Sequence, residues 1–444
     1  MALPGVTEIL IVGAGPTGLA CALSLHKQGC RDITIVDAIE HGENTSRALA
    51  VHAATLEVLD GIGCAQSLVE AGSPHQRINC WDGSQLVSLA DFSTLKPYSK
   101  YPFVLIVPQT VTESVLGEHM KNIGIAVHRP LKVVGLHPFE HDASYTVALF
   151  ESGQVIRARY IIGADGARSA VEVRQAAGID FKNPFEQPKT KGSLDQLVLG
   201  DVTFTQPIGS RFQESAVFIM SPENIFLTLP LPSSTHGSSQ TFRIVTGVPD
   251  SRGLPPSSPP KEYLQGLVTQ YGLNDVADGE PGKGVQIDQV YWSSRFRTHS
   301  SIADKFFTRL GSDGGVVLLI GDAAHIHPPA GGQGMNLGIR DAVSLGVVLA
   351  SHIAAAATSD ASTQSSYDAP VKEWADHRRQ QGLKIIRLSK TILRIASLPQ
   401  ETTWIWGVLP VKLTDVRNWG LWMLARSVWL QSKIAWQLSG LGNI

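Results

Sequence analysis

An α/β fold of the Rossmann type, with an inserted antiparallel sheet and a helical C-terminal segment, is predicted by three features of the sequence. A strand, a glycine turn and a helix follow one another directly at the start. Two further buried strands end in a glycine and an aspartate, at Gly163-Ala164-Asp165 and at Gly321-Asp322. Between them, residues 181–300 change to short alternating β segments separated by Ser, Gly and Pro, the pattern of antiparallel strands and their turns.

At 444 residues the chain can bury a large core and divides naturally into two or three domains. Its formal net charge of -2 gives no electrostatic case for nucleic acid. Cys21, Cys30, Cys64 and Cys80 show no CxxC spacing, so neither a metal site nor a disulfide framework is expected. Reduced thiols and a cytoplasmic location are the default expectation. No basic-then-apolar leader pattern precedes Thr7, and no uninterrupted apolar run reaches the ~18 residues of a membrane span.

The first element is Glu8–Val12, a strand, followed by Gly13-Ala14-Gly15-Pro16-Thr17-Gly18 and an apolar helix through Leu25. This is GxGxxG between a strand and a helix, the context that gives the motif its meaning. Gly13 permits the turn, Gly15 lets the backbone approach a pyrophosphate, and Gly18 lets helix and strand pack closely. A second strand, Asp32–Asp37, ends in a carboxylate at the spacing of a ribose-binding acid. By itself this motif does not separate FAD from NAD.

A helix is expected over Ala53–Gly61, and another from Gln109 to Lys121. Ile78–Tyr101 breaks into β-like pieces, which reads as an excursion into another layer. Tyr160–Gly163 is a buried strand that delivers Asp165 to a glycine turn, and Ser169 opens the next helix. Val316–Ile320 likewise delivers Asp322 to the C-terminal tip of a strand, where α/β sheets bind ligands. Pro328 and Pro329 then stiffen a short loop by fixing φ and removing two donors. Gly331, Gly332 and Gly334 lead into a helix that runs through Met335 and Asn336 to about Ala357. Its N-terminus presents backbone N–H groups and a positive dipole end to whatever lies in front, which suits a ligand that becomes anionic.

In the central region, strands are expected at Leu197–Phe204, Ala216–Met220, Asn224–Leu231 and Gln240–Val248. Tyr291, Trp292, Arg295 and His299 are pocket candidates, although a strand with one buried aromatic face has the same pattern. Arg211, Tyr291 or Arg295 would pair with a substrate carboxylate or phenolate. After an Ala/Ser/Thr-rich linker, Tyr367–Lys390 is an amphipathic helix. The stretch Thr403–Leu441 holds six of the nine tryptophans, with Lys412, Arg417, Arg426 and Lys433 among them. Pro410 and Gly420 are expected to break it into short helices. It reads first as a cap on the main domain or a dimer contact, so that the protein is a monomer or homodimer. The second reading is a peripheral contact with a membrane or lipid substrate.

The run Gly321–Asp341, GDAAHIHPPAGGQGMNLGIRD, together with GxGxxG at Gly13 and Gly163-Ala-Asp-Gly-Ala-Arg-Ser169, resembles the flavoprotein aromatic hydroxylases, the family of para-hydroxybenzoate and phenol hydroxylase. The three motifs span most of the chain in the family's order. The resemblance implies FAD, with Asp322 at the ribityl chain, the Gly334–Asn336 backbone at the pyrimidine edge, Gly321 and Gly332 among the other cofactor-binding residues, and Pro328-Pro329 lining the oxygen pocket. It implies Arg47 at the pyrophosphate, Gln109 near the flavin or ribityl chain, and Asp165 serving both FAD and NAD(P)H. A helix N-cap is the alternative role for Gln109. The chain then divides into FAD-binding parts at 1–80, 102–180 and 301–357, a substrate-domain excursion at 81–101, a substrate sheet at 181–300 and a helical tail at 358–444.

The activity implied is hydroxylation of a phenolic substrate by NAD(P)H and O2 through a flavin C4a-hydroperoxide, ortho or with loss of CO2, in secondary or aromatic metabolism. Few protein acids or bases are needed, since the protein positions, excludes water and stabilises the anionic flavin. His325, His327 and Tyr291 are the candidates for a partner to the phenol. The rival reactions are oxidation of an alkene or indole in a prenylated substrate, and an oxidase or reductase that never inserts oxygen. A non-catalytic flavin-binding or interaction protein is the rival of a different class, and intact Asp165, Asp322 and glycines argue against it.

Overall fold

The computed structural model describes residues 3–40, 48–81, 86–169, 171–185, 196–206, 208–221, 224–232, 240–248, 252–272, 284–311, 314–358, 364–396, 398, 402–405 and 409–443. In chain order, β1 (Val6–Val12) leads to α1 (Pro16–Lys27), β2 (Ile33–Val36), α2 (Ala53–Gly61), β3 (Arg77–Trp81), β4 (Leu86–Asp91), α3 (Gln109–Asn122), β5 (Val127–His128) and β6 (Val155–Gly163). Then come β7 (Gln196–Phe204), β8 (Ala216–Ser221), β9 (Asn224–Pro230), β10 (Phe242–Gly247), α4 (Lys261–Tyr271) and β11 (Ile287–Arg297). The chain continues with β12 (Phe307–Arg309), β13 (Val316–Leu319), α5 (Gln333–Thr358), α6 (Gln364–Ala396), β14 (Thr402–Ile405), β15 (Leu409–Lys412), α7 (Leu413–Arg426) and α8 (Val428–Ser439).

The first sheet is organised around β6, which pairs in parallel with β1 on one side and β13 on the other. Beyond β1 lie β2 and β5, both parallel, and β12 closes the opposite edge antiparallel. Ile9–Val12, Ile161–Ile162 and Val316–Leu319 are buried throughout, as strands covered on both faces require. The register aligns Val12 with Gly163 and Gly163 with Leu319. All three glycine turns therefore leave the sheet side by side at one edge.

Two helices cover one face through small residues. A Cβ on Gly338 of α5 would lie 2.6 Å from Thr17 Oγ1 of α1, and one on Gly346 would lie 2.6 Å from Ser24 Cβ. Ser24 Oγ donates to the Val343 carbonyl at 2.8 Å. Helix α5 is long and apolar enough to cross a bilayer by length and composition alone. Here it packs on α1, α2 and α6 instead. A buried chain fixes α6: Tyr160 OH lies 3.2 Å from His352 Nδ1, His352 Nε2 lies 2.9 Å from Asp368, and Arg309 donates twice to the same carboxylate.

The second sheet has the order β11-β7-β10-β9-β8-β3-β4, antiparallel except where β8 meets β3. Its strands β3 and β4 come from the early excursion, which enters the sheet at Arg77. Val198, Val202, Phe226 and Ile244 on one face form a core with Leu264 and Leu267 of α4. On the other face Leu227, Leu229, Ile78 and Phe92, which directly follows β4, pack with Val104 and Ile106 of the first domain and Ala435 of α8.

The tail differs from expectation. Pro410 lies in β15 of a hairpin with β14, and Gly420 lies inside α7. The break falls at Ser427, whose side chain caps α8 by accepting from Leu430 N at 3.3 Å. A single exposed glycine costs a helix about 1 kcal/mol, which the anchoring of α7 through buried Thr414 and Arg417 outweighs.

Candidate active site

Gly13 has φ 105°, the left-handed region, and a Cβ there would collide with the Ala164 carbonyl of the neighbouring strand tip. A Cβ on Gly18 would collide with the Gly13 carbonyl. These two glycines are required by the protein's own packing. Gly15 differs: its φ of -74° suits any residue, and a Cβ would meet nothing within 4 Å. The protein's own packing therefore sets no demand for glycine here, and the uncapped start of α1 leaves its backbone open to an approaching ligand. Pro16 occupies the first turn of α1, while Thr17 packs against Gly321 and Gly338, so its fixed contacts are with the protein.

Asp37 accepts hydrogen bonds from Ala14 N at 2.7 Å and Ile39 N at 2.8 Å. Its other partner is Arg129 at 3.3 Å, which also donates to the Ile39 carbonyl at 2.8 Å. Arg129 follows the two-residue strand β5 and carries no motif, so nothing in the sequence marked it. Gln109 is the first residue of α3, with Pro108 as N-cap, and donates to Glu113 at 2.9 Å. Burial pushes the Glu113 carboxyl up, against the lowering effect of Gln109 and Arg129. Arg129→Ala should weaken FAD binding by about fivefold, the roughly 1 kcal/mol of a partly exposed ion pair. Flavin fluorescence titration would measure it, and unchanged affinity would remove Arg129 from the site. Arg47 lies outside the described residues.

At the third tip, Gly321 has φ 60°, and Asp322 is exposed just beyond β13. Asp165 sits at the second tip, close enough to Arg174 to be felt by its guanidinium, which donates to the Ala323 carbonyl at 2.8 Å. Below Gly321 lies a buried ionic group that the sequence did not disclose. Asp341 of α5 contacts His325 Nε2 at 2.7 Å and Arg378 Nε of α6 at 2.6 Å. His325 thus belongs to the scaffold, and its ring stacks beside His327 with centroids 6.4 Å apart.

Gly331 and Gly332 have φ 81° and 63°. The Asn336 side chain donates to the carbonyls of Ala50 at 2.7 Å and Gly332 at 2.6 Å and accepts from His52 N at 2.8 Å. Asn336 therefore ties the start of α5 to the entry of α2. Gly334 and Met335 are half-buried beside it, and Pro328 is buried with Pro329 half-buried. His327 Nδ1 lies 3.0 Å from the Pro328 carbonyl, and a Cβ on Gly334 would lie 3.9 Å from Nε2. Among the described residues Nε2 has no hydrogen-bond partner.

Burial pushes both His327 and His52 down to about 4, with the backbone bonds to Pro328 and Gly331 opposing it. Because the folded values lie below the unfolded value of about 6.5, their stabilisation is complete above that pH and is lost as pH falls toward 4. Between pH 6.5 and 5 each should cost about 2 kcal/mol. Urea unfolding at the two pH values would show this, and His52→Gln should flatten part of the slope.

The substrate-side candidates fare differently. Gly200 of β7 faces Leu264 of α4, so by alternation Leu197, Leu199 and Asp201 face the first domain. Phe296, Ser294 and Trp292 pair with these three and share their face. Arg295 pairs with Val198 and so lies on the α4 side, where it donates to the Pro255 carbonyl at 2.6 Å. This corrects the assignment of Arg295 to the substrate pocket. Tyr291 falls where the register shifts, the extra residue of a bulge, and is half-buried. The Arg211 side chain lies outside the described residues. Asp201 and Arg243 form a buried bidentate pair, with the guanidinium 4.7 Å from the Trp292 ring centroid.

A parallel sheet whose aligned tips carry three glycine turns, joined to an antiparallel sheet, is the frame of a nucleotide-binding α/β protein. The profile of the FAD binding domain family matches residues 6–375, and the chain belongs to that family. It is 29% identical over 351 residues to rifampicin monooxygenase of Rhodococcus hoagii, covering 78% of this chain and 64% of that protein. The chain thus spans 64% of the length of that curated relative. Among solved structures it resembles the anhydrotetracycline hydroxylase OxyS of Streptomyces rimosus, with TM-score 0.68, 26% identity, and 98% of this chain and 76% of that one covered. The p-nitrophenol 4-monooxygenase PnpA of Pseudomonas putida shares the fold over 99% of both chains, with TM-score 0.74 and 20% identity.

Proposed function

We propose that the protein is a FAD-dependent monooxygenase that uses NAD(P)H and O2 to hydroxylate a phenolic substrate. The observation that carries this reading is the convergence of three glycine turns and the start of α5 at one sheet edge, facing an apolar sheet. Phe218, Met220, Ile225, Leu227, Val245 and Phe296 are all half-buried there. Contact between the two sides runs from Gly331 to His52 at 2.8 Å and from His52 to Phe92, whose rings stack at 6.5 Å.

Bound FAD would supply the redox chemistry that activates oxygen. The chain's own residues do the rest. Gly15 and the start of α1 hold the pyrophosphate, Asp37 the adenosine ribose, and Asp322 the ribityl chain. The N-terminal end of α5 favours the negative charge of the reduced ring. Pro328 and Pro329 wall the site without offering N–H donors. With Nδ1 directed at the Pro328 carbonyl, His327 keeps Nε2, enclosed beside Gly334 and without a partner among the described residues, as the acceptor we assign to the substrate hydroxyl. Held neutral at pH 7, it orients the phenol and shares the proton rather than carrying it off.

The test is purification with FAD, followed by NADH and NADPH oxidation with a panel of phenols and product analysis. Oxidation accelerated by one phenol, with a matching hydroxylated product, supports the reading. Stoichiometric peroxide with every phenol would move it to an oxidase. A second reading, oxygen transfer to an alkene or indole of a prenylated molecule, is favoured by the apolar face, on which Arg243 is already held by Asp201.

A further inference from the structure

Helices α7 and α8 are anchored by one side only. Arg417 Nη1 donates to the Ala396 carbonyl of α6 at 3.2 Å, and Gln431, Ala435 and Ser439 of α8 are buried. The other side is apolar and exposed. Val416, Trp419, Trp422 and Met423 line α7, and Val428 and Trp429 open α8, with Trp419 at 62% and Trp429 at 66% exposure. Residues 416, 419 and 423 share one helical stripe. Tyr98, 66% exposed, extends the surface by meeting Trp436 edge-on at 5.2 Å.

Charge on this face has one dominant sign. Arg426 lies 4.0 Å over the Trp422 ring and Lys433 5.6 Å over Trp429, each cation one helical turn after its indole. Lys412 is exposed at the entry to α7. Between Lys412 and Asn443 the sequence contains a single acidic side chain, Asp415, in a chain of net charge -2. Indoles beside cations on a solvent face are the chemistry of the headgroup boundary, where rings sit among acyl ends and amines meet lipid phosphates. A second copy of the chain fits less well, because a two-fold contact would set Arg426 and Lys433 against the same charges.

We propose that the α7–α8 face docks on an anionic lipid bilayer. The same helix reaches the cofactor loop at its far end: a Cβ on Gly331 would lie 3.2 Å from Leu438, and Arg340 donates to the Gly440 carbonyl at 3.2 Å. A docked face and the flavin loop are therefore opposite ends of α8.

FAD-loaded protein sedimented with vesicles of phosphatidylcholine, with and without phosphatidylserine, tests this. Binding to the anionic vesicles that weakens with salt is expected. Arg426→Gln/Lys433→Gln should lower it roughly tenfold or more, and Trp419→Ser/Trp422→Ser/Trp429→Ser should also lower it, with flavin absorbance and melting temperature unchanged. Should the tryptophan variant lose its fold, the charge variant alone decides. Absence of sedimentation with both vesicle types would overturn the proposal. So would a concentration-dependent dimer that the same substitutions abolish, which would assign the face to a second copy.

Discussion

Asp341→Asn should destabilise the protein by about 3–5 kcal/mol, the cost of breaking a buried ion pair by removing one partner. Asp341 is fully enclosed, yet the Arg378 and His325 contacts hold its carboxyl below the usual range against the raising effect of burial. Asparagine keeps the shape and cancels the charge. Arg378 then stays buried without its anion, near Arg340, whose guanidinium burial and Arg378 already push down to about 10. A total stability of about 5–15 kcal/mol is typical of a folded protein, so the loss is a large fraction of the whole. It also falls where α5 meets the glycine turn after β13, since Gly321 N donates to Asp341 at 3.4 Å. Urea unfolding and flavin content after purification should both report it. A loss under about 1 kcal/mol would show that the group is solvated or rearranged. Replacing Asp341 and Arg378 together by leucine should recover most of the stability, because no lone charge is then left buried. The pH dependence has a definite sign. A depressed carboxyl stabilises the fold above its ordinary pKa of about 4, and this is lost as pH falls through the folded value.

What could be read from the sequence was local. Ile9–Val12 and Val316–Leu319 are uninterrupted apolar runs ending in glycine, and both are buried strands ending in positive-φ turns. The expected helix at Ala53–Gly61 coincides with α2. What escaped depends on partners distant in the chain. Asp341 lies 16 residues from His325 and 37 from Arg378, and a polar residue in an apolar helix does not announce which partner it has. Arg129 meets Asp37 only because β5 lies next to β2. Arg295 failed for a different reason. Alternation predicts that neighbouring residues face opposite ways but not which way, and a bulge at Tyr291 resets the phase along β11.

Gly15→Ala and Gly18→Ala should separate the fold from the cofactor. The two positions belong to one motif and lie three residues apart, yet the structure gives them different duties. At Gly18 a methyl group would fall on the Gly13 carbonyl, so β1 and α1 must move apart. Gly18→Ala should lose stability and FAD together, at the 1–3 kcal/mol typical of overpacking. At Gly15 the methyl group has open space and an ordinary backbone conformation. Gly15→Ala should unfold in urea like the parent apoprotein. It should nevertheless bind FAD about ten- to a hundredfold more weakly, the equivalent of losing one N–H bond to a charged phosphate at roughly 1.5–3 kcal/mol. Apoprotein unfolding and flavin titration on both variants decide the matter. Equal FAD affinity for Gly15→Ala and the parent would place the pyrophosphate elsewhere, and the three aligned turns would then need another ligand. Weak binding on an undisturbed fold would mean that Gly15 is kept small for the cofactor, while Gly13 and Gly18 are kept small for the chain.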